Sequence, residues 1–295
     1  AMNILVTGSQ GGVGRWLVKA LLEAGHTIRT LDLAAQAKEN PWEHLPGDVR
    51  DLSLVRRAVQ GMDAVVHLAA IMQDVPGRED FMFSVNIQGA WNILVACVEA
   101  GAPRLINFSS LQALGHSNPR HTGLYLPLDD HAPKQPATTY QISKHVGEEM
   151  CQAYAVQHGL VIASLRPTFI YQPNLERDEW RRRLPEEVIA RSATKDYWSF
   201  VDVRDVCQAA LLALTAPLNG HQAFLLTSDD TYARIPTLDL AEKYYPAFPW
   251  PKVRPEEYVK DNPYRSLIDC QRAKEMLGWQ PQYSQREEIL GEEQR

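Results

Sequence analysis

Tyr140 and Lys144 stand four positions apart in the run Thr139-Tyr140-Gln141-Ile142-Ser143-Lys144. On a helix that spacing puts both side chains on one face, with Cβ atoms roughly 6 Å apart. An ammonium beside a phenol stabilises the phenolate and lowers a pKa that is otherwise about 10. A tyrosine tuned in this way takes a proton from an alcohol or returns one to a carbonyl oxygen. Ser110 ends the preceding apolar run Arg104-Leu105-Ile106-Asn107-Phe108-Ser109-Ser110, where it can hydrogen-bond the same oxygen. Tyr and Lys four apart occur on many helices by chance. The pair takes its meaning from the elements that position it.

Those elements begin at Asn3 to Gly14, read N-I-L-V-T-G-S-Q-G-G-V-G. A short apolar run, a glycine turn and a helical pattern from Arg15 are the context that a dinucleotide-binding turn requires. Gly8 permits the tight turn, Gly11 lets backbone N–H groups approach a pyrophosphate, and Gly14 lets helix and strand pack closely. Gln10, Gly12 and Val13 complete the loop facing the cofactor, whose phosphates meet the positive end of the helix. Asp32 lies 24 positions after Gly8, with Leu33 beside it, at the end of the strand Thr27 to Leu33. A carboxylate there accepts from ribose hydroxyls and repels a 2′-phosphate, so the expected cofactor is NAD rather than NADP.

The spacing predicts strands at Ala64–Ala70, Arg104–Ser110, Val161–Arg166 and Ala223–Thr227. Helices are predicted over about Ser53–Gln60, Asn86–Ala100, Thr139–His158 and Val203–Ala216, with residues 111–137 a loop and the proline-rich tail short helices and loops. Alternating buried strands and helices imply βαβ units. The expected fold is α/β, a Rossmann-type doubly wound parallel sheet with a small C-terminal substrate-binding lobe. We divide it as residues 1–166 plus about 200–228 for the cofactor and about 167–199 plus 229–295 for the substrate.

The 295 residues carry a net charge of −6, which argues against a nucleic-acid surface. The uninterrupted apolar runs fall short of the ~18 residues of a membrane span. A strand starting at the third residue leaves no room for a signal peptide. Cys97, Cys151, Cys207 and Cys270 are far apart and read as buried, reduced thiols. No histidine spacing suggests a metal site. The expectation is a cytoplasmic protein without metal or membrane contact.

Taken in order, T-G-x-x-G-x-x-G, the acidic strand end, D-V, H-L-A-A, N-x-x-G-x-x-N, S-S and Y-x-x-S-K resemble the extended short-chain dehydrogenase/reductase family, the NAD-dependent epimerase/dehydratase group. The likeness runs from Leu5 to about Pro173 and resumes in Ser199–Val206 and Arg272–Pro281. It implies that Tyr140 is the general acid/base and that Ser110 polarises the reacting oxygen. Lys144 would both lower the Tyr140 pKa and hold the nicotinamide ribose. The resemblance also places Asp48 and Val49 at the adenine, Leu68, Ala69 and Ala70 along the ribose and phosphates, Asn86 near the cofactor and Pro167 at the nicotinamide. It brings with it a homodimer through the helices around Asn92 and Met150.

Leu111 and Gln112 stand where the sugar dehydratases of this family carry an acidic pair, so dehydration is not expected. Only 24 residues separate Pro173 from Trp198, little chain to grip a nucleoside diphosphate, and this compactness resembles the uronate dehydrogenase branch, though that branch has Asn-His after the serine. The expected substrate is a sugar or sugar acid, oxidised with hydride transfer to NAD. Arg177, Gln112 and Thr168 are its candidate contacts, Arg177 as the bidentate partner of a carboxylate. A nucleotide-sugar epimerase with tightly held NAD is the alternative, and a non-catalytic NAD sensor a more distant one.

Overall fold

Ile4, Leu5 and Val6 are fully buried, as are Val65 and Val66, because a parallel strand covered by helices on both faces has no wet side. The computed structural model describes residues 1–35, 41–173 and 196–284. Its strands are β1 (Asn3–Thr7), β2 (Thr27–Asp32), β3 (Glu43–Pro46), β4 (Ala64–His67), β5 (Arg104–Phe108), β6 (Val161–Pro167), β7 (Phe169–Tyr171), β8 (Phe200–Asp202) and β9 (His221–Leu226). Seven form one sheet in the order β3-β2-β1-β4-β5-β6-β9, every pair parallel. β7 and β8 form a separate parallel pair, Phe169 opposite Phe200. The order reverses at β1, which opens a crevice beyond the carboxyl ends of β1 and β4. This is the Rossmann-type doubly wound sheet that the sequence predicts. β3 is an addition: an edge strand with one apolar residue in four gives no periodic signal.

The helices are α1 (Gly12–Glu23), α2 (Leu52–Val59), α3 (Glu79–Phe83), α4 (Gly89–Ala100), α5 (Thr139–His158), α6 (Val203–Thr215), α7 (Thr237–Tyr244), α8 (Pro255–Tyr258) and α9 (Gln271–Leu277). Two sequence expectations need correction at α3 and α4. A π-helical turn, Ser84–Gln88, joins them, so the helical run starts at Glu79 rather than Asn86. That 22-residue run contains an 18-residue window of mean hydropathy 1.5 and is long and apolar enough by composition to cross a membrane, although no uninterrupted apolar stretch reveals it. Inside the protein 61% of the apolar window is buried, where Ile93, Leu94, Ala96 and Cys97 pack on the sheet.

Leu17, Leu21, Val206 and Ala210, from α1 and α6, cover one face of the sheet. Val55, Ile93 and Tyr154, from α2, α4 and α5, cover the other. The four cysteines are buried and unpaired. A third apolar cluster holds Trp198, Phe200, Tyr232, Leu240 and Tyr245, and it draws in Leu111, Leu114, Leu124, Leu126 and Leu128. The segment expected as a loop after Ser110 is therefore half core. Tyr197 and Trp198 both sit at φ 55, a left-handed conformation costly for aromatic residues. Stacking of Tyr197 on Tyr245, ring centroids 4.9 Å apart, helps to hold it.

The predicted helix Thr139–His158 matches α5 residue for residue, because both ends are capped. The Thr138 side chain accepts from Gln141 N while Gln141 Oε1 accepts from Thr138 N, a capping box. Gly159, at φ 71, ends the helix in the left-handed region. Loss of the cap costs about 1 kcal/mol. Thr138→Ala is expected to lower the unfolding free energy by that amount, read as a lower urea midpoint at an unchanged denaturant slope; an unchanged midpoint would show that the cap contributes nothing.

Candidate active site

Three elements meet beyond the carboxyl ends of β4 and β5: the turn after β5, the start of α5, and the loop after β4. Ser110, in extended backbone, caps the 3-10 turn Leu111–Leu114, and its Oγ accepts from Gln112 N at 3.2 Å. Its hydroxyl lies beside the Tyr140 phenol and favours the phenolate. Tyr140 N donates to Asp74 Oδ1 at 2.8 Å, which ties the loop after β4 to the helix start. Lys144 Nζ donates to Phe108 O at 2.7 Å and lies 5.8 Å from the centre of the Tyr140 ring. The geometry thus brings Ser110, Tyr140 and Lys144 together.

Their protonation differs from the expectation. Burial raises the Tyr140 phenol above its ordinary range, with the Ser110 hydrogen bond opposing and the Asp74 charge adding. Lys144 is not among these causes, and its ammonium donates to Phe108 O. Burial pulls Lys144 itself down to about 8, with the negative charge of Glu148 opposing. His67, hydrogen-bonded to Thr7 Oγ1 at 2.7 Å, is held neutral: burial first and then Lys144 lower it to about 3. A cavity of about 10 Å³, room for one water, lies between His67, Asn86, Asn107, Ser143 and Lys144.

At the glycine turn the fit to a dinucleotide is tested by volume. A Cβ on Gly8, at φ +70, would lie 2.7 Å from Ala69 N, and one on Gly14 would lie 2.2 Å from Gly8 O. Gly11 caps α1 with no side-chain hydrogen bond and no acid stands in the first turn, so the N–H groups there remain open to phosphate. Asp32 Oδ2 accepts from Gln10 N at 2.8 Å and Oδ1 from Ala34 N at 3.0 Å, which fixes the carboxylate against the turn. Leu33 is exposed, and Val13 packs on the core. Leu68 N donates to Thr7 O and Ala69 N to Thr7 Oγ1, holding residues 68–70 along the crevice. Asn86, set in the π turn, accepts from Ile71 N at 2.7 Å and donates to Ile71 O and Ser143 Oγ. It clamps the β4 loop to α5.

The remaining candidates divide. Asp48 is engaged by Arg50, whose hydrogen bonds hold the carboxyl below its usual range, and Val49 is buried under Gly89. Asn92 donates to the carbonyls of Val49 and Arg50, so it faces inward and leaves any dimer contact to neighbours such as Trp91. Pro167 ends β6, buried beside Thr168, whose Oγ1 has no hydrogen-bond partner among the described residues. Gln112 Oε1 accepts from Gln141 Nε2 at 2.8 Å. Because Gln141 Oε1 is committed to Ala137 N at 2.8 Å, Gln112 is left presenting its amide as a donor. Arg177 and the arginines at 181–183 lie outside the described residues.

Sequence reasoning missed Gln141, Asp74, Gln172 and the cluster around Glu148. Gln172 reaches Gly12, where a Cβ would meet its Nε2 at 2.6 Å. Only Glu148 leaves a sequence signal, the four-residue interval that continues Tyr140 and Lys144.

Fold and crevice define a Rossmann-type protein that binds a dinucleotide and gathers a serine, a tyrosine and a lysine beside it. A model of the NAD dependent epimerase/dehydratase family matches residues 4–225. The chain belongs to that family, and NAD is its cofactor. It is 32% identical over 166 residues to uronate dehydrogenase of Pseudomonas syringae pv. tomato, covering 56% of this chain and 58% of that one. Sterol demethylase protein B of Methylococcus capsulatus is 30% identical over 243 residues, 77% of this chain and 70% of the relative. The structure of WbmG from Bordetella bronchiseptica in complex with NAD superposes with a TM-score of 0.68 at 26% identity, covering 98% and 92% of the two chains. Matches to several of these curated relatives span little more than half of the relative's length.

Hydrogen bonds to a charged group contribute about 1.5–3 kcal/mol, roughly ten- to hundredfold in Kd. Asp32→Ala is expected to weaken NAD by that factor in calorimetry while NADP is little affected. Tighter NADP than NAD binding by the unmodified protein would overturn the assignment of Asp32.

Proposed function

We propose that the protein is an NAD-dependent dehydrogenase that oxidises a hydroxyl of a free sugar or sugar acid. The observation that carries the reading is the convergence of the Ser110 hydroxyl on the Tyr140 phenol, one helical turn from an anchored Lys144. The reacting form of Tyr140 is the phenolate, which Ser110 favours against burial; its Oη receives the proton of the substrate hydroxyl, and the Ser110 hydroxyl, turning from the phenol to that oxygen, stabilises the charge that develops there. NAD, when bound, accepts the hydride. Gly8, Gly11, Gly12 and Gly14 with Gln10 and Val13 hold its phosphates, Asp32 and Leu33 its adenosine ribose, Asp48 and Val49 its adenine. Residues 68–70 and Asn86 line its path, Pro167 backs the nicotinamide and Lys144 holds the nicotinamide ribose.

The donor face of Gln112 and the Thr168 hydroxyl, unpartnered among the described residues, suit a substrate rich in hydroxyls and bearing an acceptor such as a carboxylate, with Arg177 as its further partner. The 32% identical uronate dehydrogenase supports a sugar acid over a nucleotide-linked sugar. Four buried, unpaired thiols support a reducing, cytoplasmic setting, and a homodimer would use the outer faces of α4 and α5, where Trp91 and Val156 are exposed.

Two measurements test the reading. Tyr140→Phe is expected to lower kcat by about two orders of magnitude or more with NAD affinity unchanged. A panel of aldoses, uronic acids and UDP-sugars, read by NADH absorbance with isomer analysis, is expected to show turnover of a free sugar or uronic acid. Epimerisation of a UDP-sugar without NADH release would overturn the proposal.

A further inference from the structure

Glu148 stands one turn beyond Lys144 on α5 and is 1% exposed. A buried carboxylate survives only if its charge is met by partners. Arg166 of β6 donates to both of its oxygens at 2.7 Å. Ser109 donates to Oε1 at 2.7 Å, and Lys134 to Oε2 at 3.2 Å. Arg166 also bonds Asp130 Oδ1 at 2.9 Å, and Asp130 accepts from Leu225 N of β9 at 2.9 Å. This cluster touches the site from below at two places. Ser109 is the residue between Phe108, whose carbonyl takes Lys144 Nζ, and Ser110. Lys144 itself lies one turn along the same helix.

We propose that Glu148 is a positioning residue: its fixed negative charge is the counter-ion of Lys144, and its bond to Ser109 sets the strand end that presents Ser110 and the Phe108 carbonyl. The inference rests on the assignment of Lys144 to the cofactor made above. A purely structural ion cluster is the competing reading, since Arg166 and Lys134 already balance Glu148 and Asp130. The two readings differ in what Lys144 feels. Around Lys144, His67 of β4 is neutral and Tyr140 of α5 keeps its proton, so Glu148 is the ionised acid that opposes desolvation. Around Glu148 stand Arg166, Lys134, Asp130 and His221 of β9, the last lowered to about 4 by burial first and therefore neutral. Lys144 loses its charge as pH rises through about 8. Removing Glu148 must bring that loss to lower pH, and removing Lys134 must delay it, because Lys134 screens Glu148.

The test reads Lys144 directly by competitive trace acetylation from about pH 6 to about pH 10, quantified by mass spectrometry of its peptide. NAD dissociation constants are measured over the same range. Glu148→Gln is expected to lower the Lys144 midpoint by about one pH unit, and Glu148→Asp, which keeps the charge, to restore most of it. Lys134→Met is the second variant. Its side chain is 29% exposed and the Glu148–Arg166 pair stays intact, so folding is not at stake, and the midpoint is expected to rise. A midpoint unmoved in Lys134→Met, or in a folded Glu148→Gln, overturns the inference. If the midpoint moves and the alkaline loss of NAD affinity fails to follow it, the role of Lys144 at the cofactor falls instead. The two failures are thereby distinguished.

Discussion

The backbones of Gly8 and Ala69 run so close that a single added carbon would collide, and the same holds between Gly14 and the Gly8 carbonyl. Much of the crevice follows from that contact. It brings the ends of β1 and β4 together with the start of α1. Thr7 can then bond both His67 and Ala69 N, and Gly8 N can reach Leu31 O. The walls of the crevice are backbone rather than side chain, and the first turn of α1 opens onto them with no side-chain cap. Asp32 closes the arrangement by taking Gln10 N, which couples the carboxylate to the shape of the turn it borders.

α5 serves as the ruler for the other half of the site. Its four-residue interval sets out Tyr140, Lys144 and Glu148 on one face, and its capping box orients Gln141 and through it Gln112. Burial acts on the first two in opposite senses and toward the same result, neutral tyrosine and neutral lysine. The forces that resist are specific: Ser110 on the phenol, Glu148 on the ammonium. Spacing alone reveals neither force. Proximity on a helix face predicts that Lys144 tunes Tyr140, but a lysine whose Nζ reaches Phe108 O places its charge on the strand end.

What was legible in the sequence was whatever repeats or punctuates. Apolar runs marked β1, β4, β5 and β6; glycines marked the turn after β1 and the end of α5; the 20 residues of α5 were bounded by Thr138 and Gly159. Features made by long-range pairing were not legible. Asp74, 66 positions from Tyr140 N, sits in a loop with no periodicity. Asp130 meets Leu225 across 95 positions. The π turn that sets Asn86 lies within an unbroken helical pattern, where one extra residue in a turn leaves little trace in hydrophobic spacing.

Ser110 stands at the joint between two cores. Phe108, two residues before it, packs with the sheet, and Leu111, directly after it, packs with Trp198, Tyr197 and Phe200 of the third cluster. Full burial of a leucine contributes about 1.5–3 kcal/mol, so Leu111 and Leu114 together hold the segment after Ser110 more firmly than one hydrogen bond would. The backbone at Ser110 therefore cannot shift without moving one core against the other. A group that must meet a substrate oxygen to within a few tenths of an ångström is best placed where two packed bodies fix the backbone on either side of it. The Glu148–Ser109 bond does the same one residue earlier and from beneath, by charge rather than by packing. Apolar burial and ion pairing, which act in different solvents and screen differently, thus converge on the same two adjacent serines.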